Sequence, residues 1–248
     1  MRLRVIRKYK DDEANTSSYT VLRMLIGGGA SGGIHGAHMG PGVHMRYAAA
    51  ERKRQTIPWV EYRNTASGVT RTYQSSDVKS DALSKLPTYE MQCADCHNRP
   101  THAFEPADRA LDRALASDEI SRLPFIKKAG LRELQAEYKN DQDAANRIPL
   151  AVRAFYSKPS PEADRAAQAI LAIYQRDVFP DLKVTWGTYP NNLGHTDAPG
   201  CFRCHDGSHV TQSGRAEKKT ISQDCSLCHQ ALAVEEISPE ILKTLGFN

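Results

Sequence analysis

All six cysteines of this chain fall in three C-x-x-C-H runs: Cys93-Ala94-Asp95-Cys96-His97, Cys201-Phe202-Arg203-Cys204-His205 and Cys225-Ser226-Leu227-Cys228-His229. This is the spacing at which a c-type haem is attached. Two thiols three positions apart share one turn of backbone and reach the two vinyl groups along one side of a porphyrin. The histidine that follows is directed under the ring, where its imidazole ligates the iron. One such run in 248 residues is modest evidence. Three runs that consume every cysteine, each followed by histidine, point to three covalently bound c-type haems.

Two plainer readings compete. The last two runs also fit C-x2-C-x20-C-x2-C, an acceptable spacing for a zinc ribbon. That reading leaves Cys93 and Cys96 idle and makes the three following histidines a coincidence. Disulfides within a C-x-x-C pair are redox-active rather than structural. The haem reading also answers a composition thin in core material, 40% apolar and 7% aromatic, because a porphyrin is itself a large apolar core element.

Nine histidines are present; His97, His205 and His229 are the proximal ligands expected from the motifs. Of the other six, His35 and His38 sit in the glycine-rich stretch 33–42. His102 lies five residues after His97, His209 four after His205, and His195 six before Cys201. Histidines gathered around attachment motifs suggest bis-histidine iron. Two axial nitrogens, each about 2 Å from the metal, leave no open position, and such a centre moves electrons and does little else. His35, His38, His102, His195 and His209 are therefore the candidate distal ligands. His102 and His209 follow their own motif histidines too closely to reach the far face of the same porphyrin, so each would serve a neighbouring haem or none. His44, in the alternating run 43–47, reads equally well as a solvent-facing strand residue. Met39 and Met45 are the alternative axial ligands, with Met39 better read as packing.

The expected fold is α+β with little regular core. Residues 1–78 read as a β-strand and loop region contributing candidate distal histidines, and 79–248 as a mainly helical three-haem region. Val43 to Ala48, Thr56 to Tyr62 and Val69 to Tyr73 are rich in Val, Thr and aromatics, with a hairpin turn at 64–68. The glycines from Gly27 to Gly42 read as a loop laid against a haem face. Helical spacing begins after the first motif: Pro106 to Ala116, Pro124 to Tyr138, and Asp141 to Tyr156, which Pro149 should kink or split. Pro161 to Arg176 follows behind a Ser160-Pro161-Glu162 start signal, and Ser238 to Leu245 makes a short terminal helix. Cys225 follows Cys201 by only 24 positions, too little chain for a core of its own, so haems would do the packing there. With 33 basic and 29 acidic residues the net charge is +4, too weak a bias to argue for a nucleic-acid partner. No window approaches 18 apolar residues, so nothing in the chain reads as a membrane span.

The stretch Cys93 to His102, the stretch Trp186 to His209 and the run Gln223 to His229 resemble the NapC/NirT group of multihaem cytochromes c, in particular its longer members. The resemblance runs from Lys10 to Thr16 onward and includes 33–38 and Ile57-Pro58-Trp59-Val60. It implies the carboxy-terminal part of an electron carrier on the periplasmic side of the bacterial inner membrane. Such a carrier would draw on a membrane quinol pool through an anchor upstream and pass electrons to periplasmic redox proteins. By the same resemblance the family's histidine ligands fall on His35 or His38, His102, His195 and His209. Other roles are a structural haem-bearing subunit of a larger respiratory complex or, with an open iron site, a multihaem reductase. Covalent haem attachment requires export, yet no apolar signal core follows Met1. The expectation is that further C-x-x-C-H motifs and one hydrophobic stretch of about 20 residues lie upstream. Arg2, Arg4, Arg7, Lys8 and Lys10 would face that segment or an anionic membrane surface, or would line an ordinary solvated edge strand.

Overall fold

The computed structural model describes residues 2–27, 32–97, 103–212 and 218–246. The first part of the chain gives β1 (Arg2–Tyr9), β2 (Ser17–Met24), α1 (Gly33–Met39), β3 (Val43–Ala48), β4 (Trp59–Asn64), β5 (Val69–Ser75), α2 (Ser80–Leu83) and β6 (Thr88–Glu90). After α3 (Cys93–Cys96) come α4 (Ala107–Ala116), α5 (Ile126–Leu134), α6 (Asp141–Phe155) and α7 (Pro161–Asp177). The chain then runs through β7 (His209–Thr211), β8 (His229–Glu236) and α8 (Glu240–Thr244). The class is α+β. No described helix is long and apolar enough to cross a membrane.

These elements form two compact units, each assembled from separated segments. One comprises Met1–Leu3, Arg23–Thr101 and Tyr189–Gln230; the other comprises Arg4–Leu22, His102–Thr188 and Ala231–Asn248. All three attachment motifs fold with the β-rich segments, and the helices from α4 to α7 are inserted between the first motif and the second. The physical reason is that the helices need no haem to close their core, because their apolar faces bury one another.

In the first unit an antiparallel sheet has the order β6-β3-β4-β5-β7. The β4–β5 hairpin forms where the strand-prone runs place it, with Asn64 opposite Val69. The Asn64 side-chain oxygen accepts from the amides of Ala66 and Ser67, which closes the turn. Tyr47, Ala49, Ile57 and Val60 are the buried centre of this unit, with Met45, Tyr89, Met91, Cys204 and Ile221 packed around them. That is a small core, as the thin composition leads one to expect. Several elements were not foreseen, two of them beside the motifs. The glycine-rich stretch makes helix α1, and the short chain between the second and third motifs contributes β7, which pairs with β5.

The second unit corrects the expectation of little regular core. Leu111, Leu115, Ile126, Leu134, Ile148, Ile170 and Ile173 are almost completely buried together. Helix α7 starts as read: the Ser160 hydroxyl accepts from the Ala163 amide, and Pro161 occupies the first turn. Helix α6 runs unbroken through Pro149. Its neighbours Ala144, Ile148 and Val152 are buried, and that packing outweighs the amide bond the proline cannot make. Among the described residues of this unit the one buried cation is Lys127, whose Nζ lies 2.6 Å from Asp112 and 2.7 Å from Asp108. Asp112 also accepts from the Tyr9 amide, tying β1 to α4. Burial raises the Asp112 carboxyl above its ordinary range, with Lys127 pulling the other way.

A buried carboxylate whose cation is removed costs about 3–5 kcal/mol. Lys127→Met should therefore lower unfolding free energy by that amount in urea titration. The double variant Lys127→Met with Asp112→Asn should recover most of the loss, since the amide keeps the Tyr9 bond without the charge.

Candidate functional site

Each C-x-x-C-H run folds as a single turn. In the first, α3, the His97 amide donates to the Cys93 carbonyl at 2.8 Å. In the second, a 3-10 turn over Gly200–Arg203, the His205 amide donates to the Cys201 carbonyl at 3.0 Å. In the third, a 3-10 turn over Cys225–Leu227, the Cys228 amide donates to the Cys225 carbonyl at 3.1 Å. Each pair of thiols thus shares one turn, with its histidine just beyond. Cys93 and Cys225 are exposed and the other four partly so. Burial pushes the Cys204 thiol up to about 12, against the pull of the Arg203 guanidinium. Cys96 is raised by burial, again opposed by Arg203, and Cys228 is raised by burial.

All three motif histidines face a second histidine. The ring centres of His35 and His97 are 6.1 Å apart, those of His38 and His205 5.9 Å, and those of His195 and His229 6.2 Å. Two imidazoles on one iron, with each nitrogen about 2 Å from the metal and each ring centre roughly 1 Å further out, stand about 6 Å centre to centre. The three gaps fit that span. The tautomers fit as well. His205 Nδ1 lies 2.6 Å from the Ser222 carbonyl and His38 Nδ1 lies 2.8 Å from the Ile34 carbonyl. A carbonyl only accepts, so each Nδ1 carries the proton and each Nε2 keeps its lone pair for a metal. Burial, opposed by the Ile34 bond, lowers the His38 pKa and favours the neutral ring. The buried Nδ1 of His229 has no hydrogen-bond partner among the described residues.

Local structure explains how His35 and His38 come to the site together. The Ile34 and His35 amides donate to the Leu25 and Ile26 carbonyls, which start α1 directly behind β2. Two side chains three positions apart on a helix share a face. The connection is too tight for any side chain at Gly27, where a Cβ would stand 1.7 Å from the Gly32 oxygen. His195 is held differently. Its ring stacks on Phe202 of the second motif at 4.3 Å and 15°, while the Cys201 amide donates to the Gly194 carbonyl.

The remaining candidates separate. His209 is buried with Nδ1 2.8 Å from Asp206 Oδ1 and Nε2 2.7 Å from the Ile57 carbonyl. Both nitrogens face acceptors, so neither is presented to a metal. The ring instead joins the loop after the second motif to the chain entering β4. His44 is exposed on β3, 3.4 Å from Glu90. His102 lies outside the described residues. Among the described residues no three His, Cys, Asp or Glu side chains converge to hold a metal by themselves.

Two residues inside the motifs escaped the sequence reading. Asp95, buried in the first turn, accepts from Tyr47 Oη at 2.5 Å, Arg54 Nη1 at 2.8 Å and the Gln92 amide at 2.7 Å. Burial and the neighbouring Asp95 push the Tyr47 phenol far above its ordinary value. Arg203, buried in the second turn, donates to three carbonyls: Gly200 at 2.9 Å, Arg54 at 3.0 Å and Asp95 at 2.8 Å. The x positions of a C-x-x-C-H run carry no fixed residue type, so nothing in the spacing marks them.

No protein-family model matches the chain, and no solved structure matches it. It is similar to the cytochrome c-type protein ImcH of Geobacter sulfurreducens, with 36% identity over 251 residues. The match takes in 93% of this chain and 47% of that protein, so the chain spans about half the length of the curated relative it matches. With three C-x-x-C-H turns and a likeness to that protein along nearly its whole length, the chain is similar to the c-type cytochromes, in keeping with its resemblance to the NapC/NirT kind.

Proposed function

We propose that this chain is an electron-relay section that carries three c-type haems. Cys93 and Cys96, Cys201 and Cys204, and Cys225 and Cys228 hold them by thioether bonds. His97 with His35, His205 with His38, and His229 with His195 would hold the irons through their ring nitrogens. A haem held in this way supplies a one-electron iron couple. The observation that carries the reading is that every motif histidine faces a second imidazole at 5.9–6.2 Å between ring centres.

The two imidazoles of each pair would together hold the iron and leave no place on it for water or substrate, which favours a carrier over a reductase. His38 and His205 keep their orientation through the Ile34 and Ser222 carbonyls and so present Nε2 in both oxidation states. Haem attachment outside the cytoplasm and the NapC/NirT likeness support a place on the periplasmic side of the inner membrane. There the donor is a quinol-linked membrane segment of the longer protein, and the acceptors are periplasmic redox proteins.

Intact-mass measurement on protein from a host competent in haem attachment should show three haem additions. Near-infrared magnetic circular dichroism should show His/His iron throughout. A bare chain mass with bound zinc, or a large high-spin fraction in the unaltered protein, would defeat the proposal. His38→Ala should convert about one third of the haem to high spin. His209→Ala should leave all three centres low-spin while lowering stability by about 2 kcal/mol, the scale of a lost charge-assisted hydrogen bond and a buried acceptor left unpaired.

A further inference from the structure

Within the unit that bears the motifs, two independent features tie the first attachment turn to the second. One is α1, whose His35 faces His97 and whose His38 faces His205, so one seven-residue helix serves both. The other is Arg203. Its guanidinium is buried, and its three hydrogen bonds end on carbonyl oxygens of three segments: its own turn at Gly200, the loop before β4 at Arg54, and the first turn at Asp95. Asn192 Nδ2 adds a second bond to the same Asp95 carbonyl at 3.2 Å. The Asp95 carboxylate is engaged elsewhere, by Arg54 and Tyr47, so Arg203 grips the backbone of the first turn rather than pairing with an acid.

We infer that Arg203 is a positioning residue that locks the His97 and His205 attachment turns into one rigid pair and gives both haems the field of a shared buried cation. This rests on the relay reading above. A planar fork with five donors can bridge three carbonyls at fixed angles, which an ammonium cannot do. Its charge also lies at both turns, since Arg203 is itself part of the second turn and its guanidinium donates to the Asp95 carbonyl inside the first. A positive charge stabilises the reduced, less positive iron, so removing it should lower potential at both haems together. The third turn ends in His229, faces His195 and makes no hydrogen bond to Arg203.

The test uses the full holoprotein with Arg203→Gln and Arg203→Lys, and follows each haem by its paramagnetic methyl resonances during redox titration. Arg203→Gln should keep three haems by mass and three His/His signatures. It should lower the potentials of the His97 and His205 haems and at least halve the change that oxidising one produces in the other. The same interaction between the His205 and His229 haems should not change. Arg203→Lys should keep most of the potential but lose the interaction as the glutamine does. Unchanged potentials and interaction in Arg203→Gln would overturn the inference, and so would an equal effect on all three haems. Loss of the His/His signature from the unaltered protein would instead defeat the underlying relay reading. Should Arg203→Gln fail to accumulate, Arg54→Gln offers a milder case, because that side chain is partly exposed and holds Asp95 from the other side. It should halve the same interaction, and an unchanged interaction there would equally overturn the inference.

Discussion

A pair of imidazoles facing each other across about 6 Å sets a demand that few backbone arrangements meet, and the motif-bearing unit meets it three times. Each pair joins a histidine fixed just past a one-turn motif to a histidine from elsewhere in the chain. For His97 and His205 the second ring comes from α1, and for His229 it comes from the loop that leads into the second motif. The sheet β6-β3-β4-β5-β7 is the frame against which these pieces are held. Its side chains supply Tyr47 to Asp95, and the Ile57 carbonyl at its edge supplies His209 with an acceptor.

Polar groups carry much of that positioning because the apolar core beside them is small. Tyr47, Ala49, Ile57 and Val60 could not by themselves hold two motif turns more than a hundred residues apart in sequence. Asp95 and Arg203 do so with directional bonds in a buried setting, where each hydrogen bond is strong and each unpaired group costly. The helical unit solves a different problem. Its four helices α4 to α7 bury continuous apolar faces, and the charge cluster of Lys127 with Asp112 and Asp108 joins elements that already pack well.

Pattern by itself determined a good deal. The six cysteines announce their turns because two thiols three positions apart with a histidine behind them share one turn of backbone. The hairpin at 64–68 and helices α4 and α7 follow from local signals: an asparagine able to close its own turn, a serine cap, and a proline in the first helical turn. What decided the rest acts over distance. Helix α1 was unreadable because its glycines weaken helical preference, and it forms only because Leu25 and Ile26 offer carbonyls to Ile34 and His35. Strand β7 is three residues long and exists through its pairing with β5. Proximity in sequence suggested His209 as readily as His195, yet folding gives both nitrogens of His209 to protein acceptors and sets His195 opposite His229. A histidine's residue type states that it can bind a metal. Only the tertiary structure decides whether a ring nitrogen is left free to do so, because the competing acceptors come from distant parts of the chain.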